Sequence, residues 1–144
     1  MAITLDELAA MLAESAREAR PRLEADLAKI GEITKIAARE LIGHEHPEWP
    51  PLAPATIEDK EHKGFGVPDP LLRTGEMRDS IEMEIEPAEL EVAIGSTMKI
   101  AAYQEIGTTK IPPRPFLGLA AEHALAEFDG LLIETAVKLL TPKV

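Results

Sequence analysis

The chain has 144 residues, 45% of them hydrophobic, a size and composition typical of one domain with one modest core. It contains no cysteine, which excludes a disulfide framework, a thiolate nucleophile and cysteine-ligated zinc or iron–sulfur sites. The formal net charge of -11 argues against a surface wrapped by nucleic acid, because affinity for phosphates comes largely from clustered Lys and Arg.

The first segment, residues 1–43, is predicted to form a long amphipathic helix. Thr4 and Glu7 fit a capping box, and apolar residues recur beyond them at helical spacing. Pro21 removes one backbone donor inside this pattern, so we expect either a kink or two helices that meet there. Gly43 is the expected C-terminal stop.

The second segment, residues 44–80, is predicted to be mostly irregular. Its prolines leave little room for continuous secondary structure. They are Pro47, Pro50, Pro51, Pro54, Pro68 and Pro70. One short helix is expected over residues 54–62, since proline is well tolerated in a first turn. Gly64 and Gly66 follow this helix and predict a flexible loop.

In the third segment, residues 81–118, apolar residues recur at every second position. The alternating apolar residues are Ile81, Met83, Ile85, Leu90, Val92 and Ile94. They predict an antiparallel hairpin whose opposite face is acidic, formed by Glu82, Glu84, Glu86, Glu89 and Glu91. Like charges opposite one another on paired strands are unfavourable unless hydrated, so this face should point at water or a wet channel. The alternative is a solvated face that only aids solubility.

The remaining elements are one short helix, one extended run and one long helix. The short helix is expected over residues 98–106 and ends at Gly107. The run Pro-Pro-Arg-Pro at residues 112–115 is extended, because proline fixes its own φ and biases the preceding residue away from helix. The last segment, residues 119–141, is a second amphipathic helix that Pro142 closes.

Together these elements predict an α+β fold in a single domain over residues 1–144. It comprises a long N-terminal amphipathic helix, a small antiparallel sheet with an acidic β-hairpin, and a C-terminal helix packed on the sheet. The N-terminus lacks a basic region followed by an apolar one, and no stretch reaches the roughly 18 apolar residues of a membrane-spanning helix. We therefore expect a soluble, unexported protein with no membrane partner.

Motifs for catalysis or metal binding are sparse. His44 and His46, with Glu45 and Glu48, are the best metal candidates, because imidazole and carboxylate together suit zinc. Pro47 prevents the His-Glu-x-x-His helix geometry, however. The serines lack a nucleophile elbow, and the glycines form neither a P-loop nor a dinucleotide fingerprint. We expect no enzyme activity, no metal and no cofactor.

Three arginines and the sole tryptophan are candidates for contacts with other subunits. Arg73, Arg78 and Arg114 could make forked contacts with glutamates of a neighbouring copy, Arg114 above all because its flanking prolines hold its backbone fixed. The alternative is a local surface ion pair worth little. Trp49, among prolines, is expected to anchor its loop against the core, with a partner contact as the other interpretation.

Three segments of the chain share one pattern with a known family. They are Trp49-Pro-Pro-Leu-Ala-Pro-Ala-Thr-Ile-Glu-Asp-Lys60, Pro70-Leu-Leu-Arg-Thr-Gly-Glu-Met-Arg-Asp-Ser-Ile81, and Glu105-Ile-Gly107 followed by Ile111-Pro-Pro-Arg-Pro-Phe-Leu117. In composition, order and spacing they resemble the tail-completion, or virion morphogenesis, proteins of tailed bacteriophages. There are two departures. Ile100 stands where the family usually has an aromatic residue, with Tyr103 three residues later, and Met77 replaces a common leucine.

The resemblance implies a non-enzymatic virion protein of the neck or head–tail connector. Such a protein joins tail to head as a ring of its own copies, with six as the expected number, and contacts other neck or tail proteins. It would be assembled in the host cytoplasm. DNA could pass through the ring without specific binding, repelled by the acidic hairpin. The expected interface residues are Trp49, Arg73, Thr74, Gly75, Arg78, Arg114 and Phe116. The alternative is a soluble acidic adaptor that binds another protein and is unrelated to virions.

Overall fold

The computed structural model describes residues 2–141. Five helices and one two-stranded sheet make up this part of the chain. In chain order they are α1 (Leu5–Leu41), α2 (Pro54–His62), α3 (Glu76–Asp79), β1 (Glu82–Glu86), β2 (Glu91–Gly95), α4 (Lys99–Ile106) and α5 (Leu117–Leu140). The α+β class is confirmed, as are the helices expected over residues 54–62 and near 98–106. The single turn of α3 was not anticipated.

Helix α1 begins and ends where its local signals predict. The Thr4 hydroxyl accepts a hydrogen bond from the backbone N–H of Glu7 at 3.2 Å, and the Glu7 carboxylate accepts one from the Thr4 N–H at 2.8 Å. This reciprocal pair is the predicted capping box. After the helix, Gly43 adopts a φ of 93°, in the left-handed region that glycine enters without steric cost.

Pro21 does not divide α1. The helix is continuous over 37 residues, so the alternative of two helices is wrong. Helix α5 packs along α1 on both sides of the proline: the Ser15 hydroxyl donates to the carbonyl of Leu139, and the hydroxyl of Thr135 donates to Asp26. Because one neighbouring helix holds both halves, the loss of one backbone hydrogen bond at Pro21 is tolerated.

The hairpin has the predicted register and faces. Met83 pairs with Ile94 and Ile85 pairs with Val92, while the glutamates between them are exposed. The apolar face packs on α1, where a Cβ built on Gly31 would lie 2.4 Å from the Met83 sulfur. Glycine at this position therefore allows the sheet to approach the helix closely.

The core joins residues from distant segments. Its buried members are Ala38, Ile42, Trp49, Met77, Ile81, Ala101, Phe116 and Ala120. Phe116 and Ile81 are the largest fully buried side chains. Ala120 of α5 and Ala38 of α1 meet in this cluster, so α5 runs back along α1 in the opposite direction. Helix α5 starts two residues earlier than expected, and Pro142 lies outside the described residues. Within residues 2–141, no helix is long and apolar enough to cross a membrane.

Candidate functional site

The three segments that carry the family pattern meet around a few buried side chains. We call the group formed by Trp49, Lys60, Glu105, Arg114 and Phe116 the motif cluster. Trp49 and Arg114 join the first and third segments by hydrogen bonds. Glu105 joins the two parts of the third segment, and Lys60 joins the first segment to the loop just before the second. The pattern therefore describes one structural unit assembled from parts of the chain up to 66 residues apart.

Arg114 ties the proline run to the first of these segments. Its Nε and Nη2 donate to the carbonyl of Pro50 at 3.2 and 3.0 Å, and Nη2 also donates to the carbonyl of Pro51 at 3.0 Å. The residue is 6% exposed, and burial lowers the pKa of its guanidinium. Within residues 2–141 it makes no ion pair. These donors are used inside its own chain, and the contact of Arg114 with a neighbouring copy stays a prediction.

Trp49 and Phe116 are also turned inward. Trp49 is 7% exposed, and its indole N–H donates to the carbonyl of Pro115 at 3.3 Å. This geometry agrees with the anchoring interpretation and leaves little of the ring for a partner. Phe116 is fully buried, so the proline run places it in the core of its own subunit, and its interface role stays a prediction.

Lys60 has a role that sequence reasoning missed. It is 2% exposed, and its ammonium donates to the carbonyls of Pro68 and Asp69 at 3.0 and 2.6 Å. Burial is the main cause that lowers its pKa. The carbonyls belong to a loop in which Asp69 and Leu71 adopt positive φ values of 22° and 65°. Lys60 thus holds an unfavourable backbone conformation in place. Its only sequence signal was its place in the family pattern.

Glu105 is the second residue that was missed. Its carboxylate accepts hydrogen bonds from the backbone N–H groups of Phe116, Leu117 and Gly118 at 2.8 to 2.9 Å. It therefore caps the start of α5 from a different helix. One signal could have revealed this role: the N-cap position of α5 is Phe116, which cannot cap the helix itself, so the N–H groups require an acceptor from elsewhere.

Arg73 and Arg78 are the arginines that remain at the surface. The Arg73 guanidinium donates to the Asp59 carboxylate at 2.8 Å and lies 5.6 Å from the ring centroid of Phe65. Arg78 contacts the adjacent Asp79 at 3.1 Å. Their side chains are 46% and 41% exposed, so both pairs are of the weak surface kind. Both arginines stay accessible to another molecule.

Thr74 and Gly75 form the turn that precedes the hairpin. The Thr74 hydroxyl accepts a hydrogen bond from the backbone N–H of Glu76 at 3.3 Å. Gly75 has a φ of 90° and is the N-cap residue of α3. The turn is thus a local structure that starts α3, and Thr74 is exposed beside a concave surface.

A groove of about 540 Å³ lies between α2, residues 71–77, α4 and the loop before the proline run. We call it the basic groove. Four of its lining residues are cationic and one, Glu76, is acidic; the cations are Lys60, Arg73, Lys110 and Arg114. Gln104 also lines it, and its buried Oε1 has no hydrogen-bond partner. A concave surface lined mainly by cationic side chains is suited to an acidic polypeptide segment.

The glutamate face of the hairpin points away from the protein. All of its members are exposed: Glu82, Glu84, Glu86, Glu89 and Glu91. Only one like-charge pair is directly opposed across the strands, Glu86 with Glu91. Glu82 lies 3.8 Å from Arg39. We call residues 86–91, which connect the two strands, the hairpin tip.

The first turn of α1 and the last turns of α5 leave apolar side chains uncovered. On α1 and α5 these are Leu5, Leu8, Leu12, Ile133, Val137 and Leu140, which are 40% to 81% exposed. The hydrogen bond between Ser15 and Leu139 brings the two helix ends side by side. Contiguous apolar surface of this kind is typical of a protein–protein contact.

The histidines considered as metal ligands take part in local turns. His44 Nδ1 lies 2.8 Å from the carbonyl of Glu40, and His46 Nδ1 accepts from the N–H of Glu48 at 3.2 Å. In the described part of the chain, no group of three or more His, Asp or Glu residues is arranged to hold a metal ion.

No protein-family model, curated protein or solved structure matches this chain.

Proposed function

We propose that this chain is a structural protein of a tailed phage virion, a tail-completion or neck component that joins tail to head. It acts by assembling into a ring and not by catalysis. The observation that carries the proposal is the motif cluster. The hydrogen bonds from Arg114 to Pro50 and from Trp49 to Pro115 join the first and third of the segments that resemble one family pattern, and the bond from Arg73 to Asp59 joins the second to the first.

The surface of the subunit supports an assembled state. Uncovered apolar side chains at the paired ends of α1 and α5 suit contacts with other subunits or other neck proteins. The acidic hairpin has five glutamates and no basic residue between positions 82 and 91. A ring whose lumen carried glutamates of this hairpin, such as Glu82 and Glu84, would let DNA pass without sticking, because like charges repel.

Deletion of the gene from its phage or prophage tests the role in the virion. We expect filled heads and separate tails in electron micrographs, and infectious particles again when the wild-type chain is supplied in trans. Mass spectrometry should find the chain in those complemented virions. Normal infectivity and joined particles without the chain would refute the proposed function.

The lumen assignment needs its own test. Replacing Glu82 and Glu84 with Lys should leave particle assembly intact and slow DNA ejection, since the lumen would then attract the DNA backbone. The matched control replaces Glu122 and Glu127, two exposed glutamates on α5, with Lys. Unchanged ejection rates in the first variant would sink the assignment.

A second candidate function is that of a soluble acidic adaptor unrelated to virions. The basic groove favours it, because such a surface could hold the acidic segment of an unrelated partner. An adaptor predicts a stable monomer or dimer and no defect in particle assembly on deletion. A ring together with a joining defect would exclude it.

A further inference from the structure

We propose that the basic groove of one subunit binds the acidic hairpin tip of the next copy, so that subunits join head to tail. The inference rests on the ring-like assembly of the proposed function and adds the contact that would produce it. The occupant of the groove is a second copy of this same chain. The strand residues Glu82 and Glu84 remain outside the contact and face water.

The charge of the groove is opposite to that of the rest of the protein. The chain carries a formal charge of -11, whereas the lining of the groove has four cations and one acid. Lys60 and Arg114 are buried and donate to backbone carbonyls, with the Asp69 carboxylate also acting on Lys60, and Arg73 is paired with Asp59 at the surface. Lys110 is exposed and makes no ion pair within residues 2–141. The groove therefore attracts carboxylates.

The hairpin tip carries closely spaced negative charges. Glu86 lies directly opposite Glu91 in the strand pairing, and Glu89 lies in the turn between them. Opposed like charges destabilise a strand pair, and cations from a partner would relieve the repulsion. Arg20 of the same subunit uses Nη2 to donate to the carbonyls of Pro87 and Ala88 at 2.7 Å. That clamp holds the tip in one position, which lowers the entropic cost of docking.

The hairpin tip lies beside the middle of α1, and the groove lies near the C-terminal end of this helix. The tip is held at Arg20, and the wall of the groove includes Leu72, which packs against Gly43 just beyond the helix. With a rise of about 1.5 Å per residue, Arg20 and Gly43 are separated by roughly 34 Å. A tip cannot reach the groove of its own subunit. Complementary surfaces at two separate places on one subunit form a heterologous contact, which makes a ring when the rotation between neighbours closes.

Charge reversal tests the contact. In one variant Glu86, Glu89 and Glu91 become Lys, and in a second Arg73→Glu is combined with Lys110→Glu. Native mass measurement over a concentration series should show either variant associating about 100-fold more weakly than wild type. An equimolar mixture should recover association, because each altered tip then meets an altered groove and each native tip a native groove.

Two controls separate this contact from general charge effects. Replacing Glu122, Glu127 and Asp129 on the exposed face of α5 with Lys changes the net charge as much as the hairpin variant does and should leave association unchanged. Wild-type association should also weaken between about 0.01 M and about 1 M salt, as the Debye length falls from about 30 to about 3 Å. Circular dichroism verifies that each variant is folded.

Cross-linking locates the contact directly, since the native chain has no cysteine. Ala88→Cys at the tip and Thr74→Cys at the groove should give a mixed disulfide when the two proteins are combined and oxidised. Ala88→Cys combined with Glu127→Cys is the control pair and should give only background.

The outcomes separate the groove–tip contact from the virion role. Association that survives the tip and groove reversals, or equal cross-linking by both pairs, overturns the groove–tip contact and leaves the proposed function standing. A wild-type chain that stays monomeric in all salts and fails to cross-link overturns the contact as well. The virion role is refuted only by the deletion experiment, in which no groove or tip variant is used.

Discussion

Arg114→Ala should destabilise the folded subunit rather than act on assembly alone. The substitution removes three donor contacts to the carbonyls of Pro50 and Pro51. It also removes most of a side chain that is 6% exposed, which leaves a void. A hydrogen bond from a charged donor contributes about 1.5–3 kcal/mol net, but contacts that share one guanidinium are not additive.

The expected loss of stability in Arg114→Ala combines lost hydrogen bonds with recovered desolvation energy. Burying the guanidinium cost free energy of desolvation, which the alanine variant recovers. We therefore expect the free energy of unfolding to fall by about 2–4 kcal/mol, out of the about 5–15 kcal/mol of an ordinary domain. At about 2–4 °C per kcal/mol for a chain of this size, the Tm should drop by about 4–16 °C.

Urea unfolding followed by tryptophan fluorescence measures this loss. Trp49 is the sole tryptophan and lies in the same cluster, so its emission reports on the site itself. Far-UV circular dichroism should give the same midpoint if unfolding is two-state. Arg114→Lys keeps a positive charge without the planar fork and should be intermediate. Arg73→Ala, at an exposed ion pair, should change stability by less than about 1 kcal/mol.

One result would refute the reasoning about Arg114. If Arg114→Ala unfolds within about 0.5 kcal/mol of wild type, the three hydrogen bonds do not hold the proline run in place. If it also blocks self-association, the residue is an interface residue after all, as the sequence pattern alone suggested.

Three further predictions concern the cap, the glycine turn and pH. Glu105→Ala should cost about 1–3 kcal/mol and speed hydrogen exchange at the first amides of α5; unchanged exchange would contradict the cap. Gly107→Ala should lower the free energy of unfolding by about 1–3 kcal/mol in urea titrations, because its φ is +77° and a Cβ would lie 2.9 Å from a proline side chain. The control is Gly130→Ala, in an open helical position, which should be neutral or stabilising by up to about 1 kcal/mol. The hydrogen bond from Lys63 lowers the pKa of Asp59 below its ordinary 3.8, so the ionised carboxylate stabilises the fold above that pH. Asp59→Asn should thus be less stable than wild type at neutral pH, and the two urea midpoints should converge as the pH falls through the lowered pKa; a constant difference would argue against the pair.

Local patterns in the sequence determined the helices and the hairpin. The capping box at Thr4 and Glu7 depends on residues three positions apart, and the alternation from Met83 to Val92 depends on the period of a strand. These interactions are complete within a few residues of the chain. The start of α1, the faces of the hairpin and the exposure of its glutamates could therefore be predicted without knowledge of the fold.

Only the tertiary structure decided which charged residues are buried. Charged side chains are expected at the surface unless a partner is present, and the partners of Lys60, Glu105 and Arg114 are backbone groups that no sequence motif displays. For Arg114 they lie 64 residues away along the chain. The continuity of α1 through Pro21 has the same kind of cause, since it depends on α5 packing on both sides. The sequence alone determined the elements and their exposed charges, while the distant contacts decided which residues hold them together and which are left for a partner.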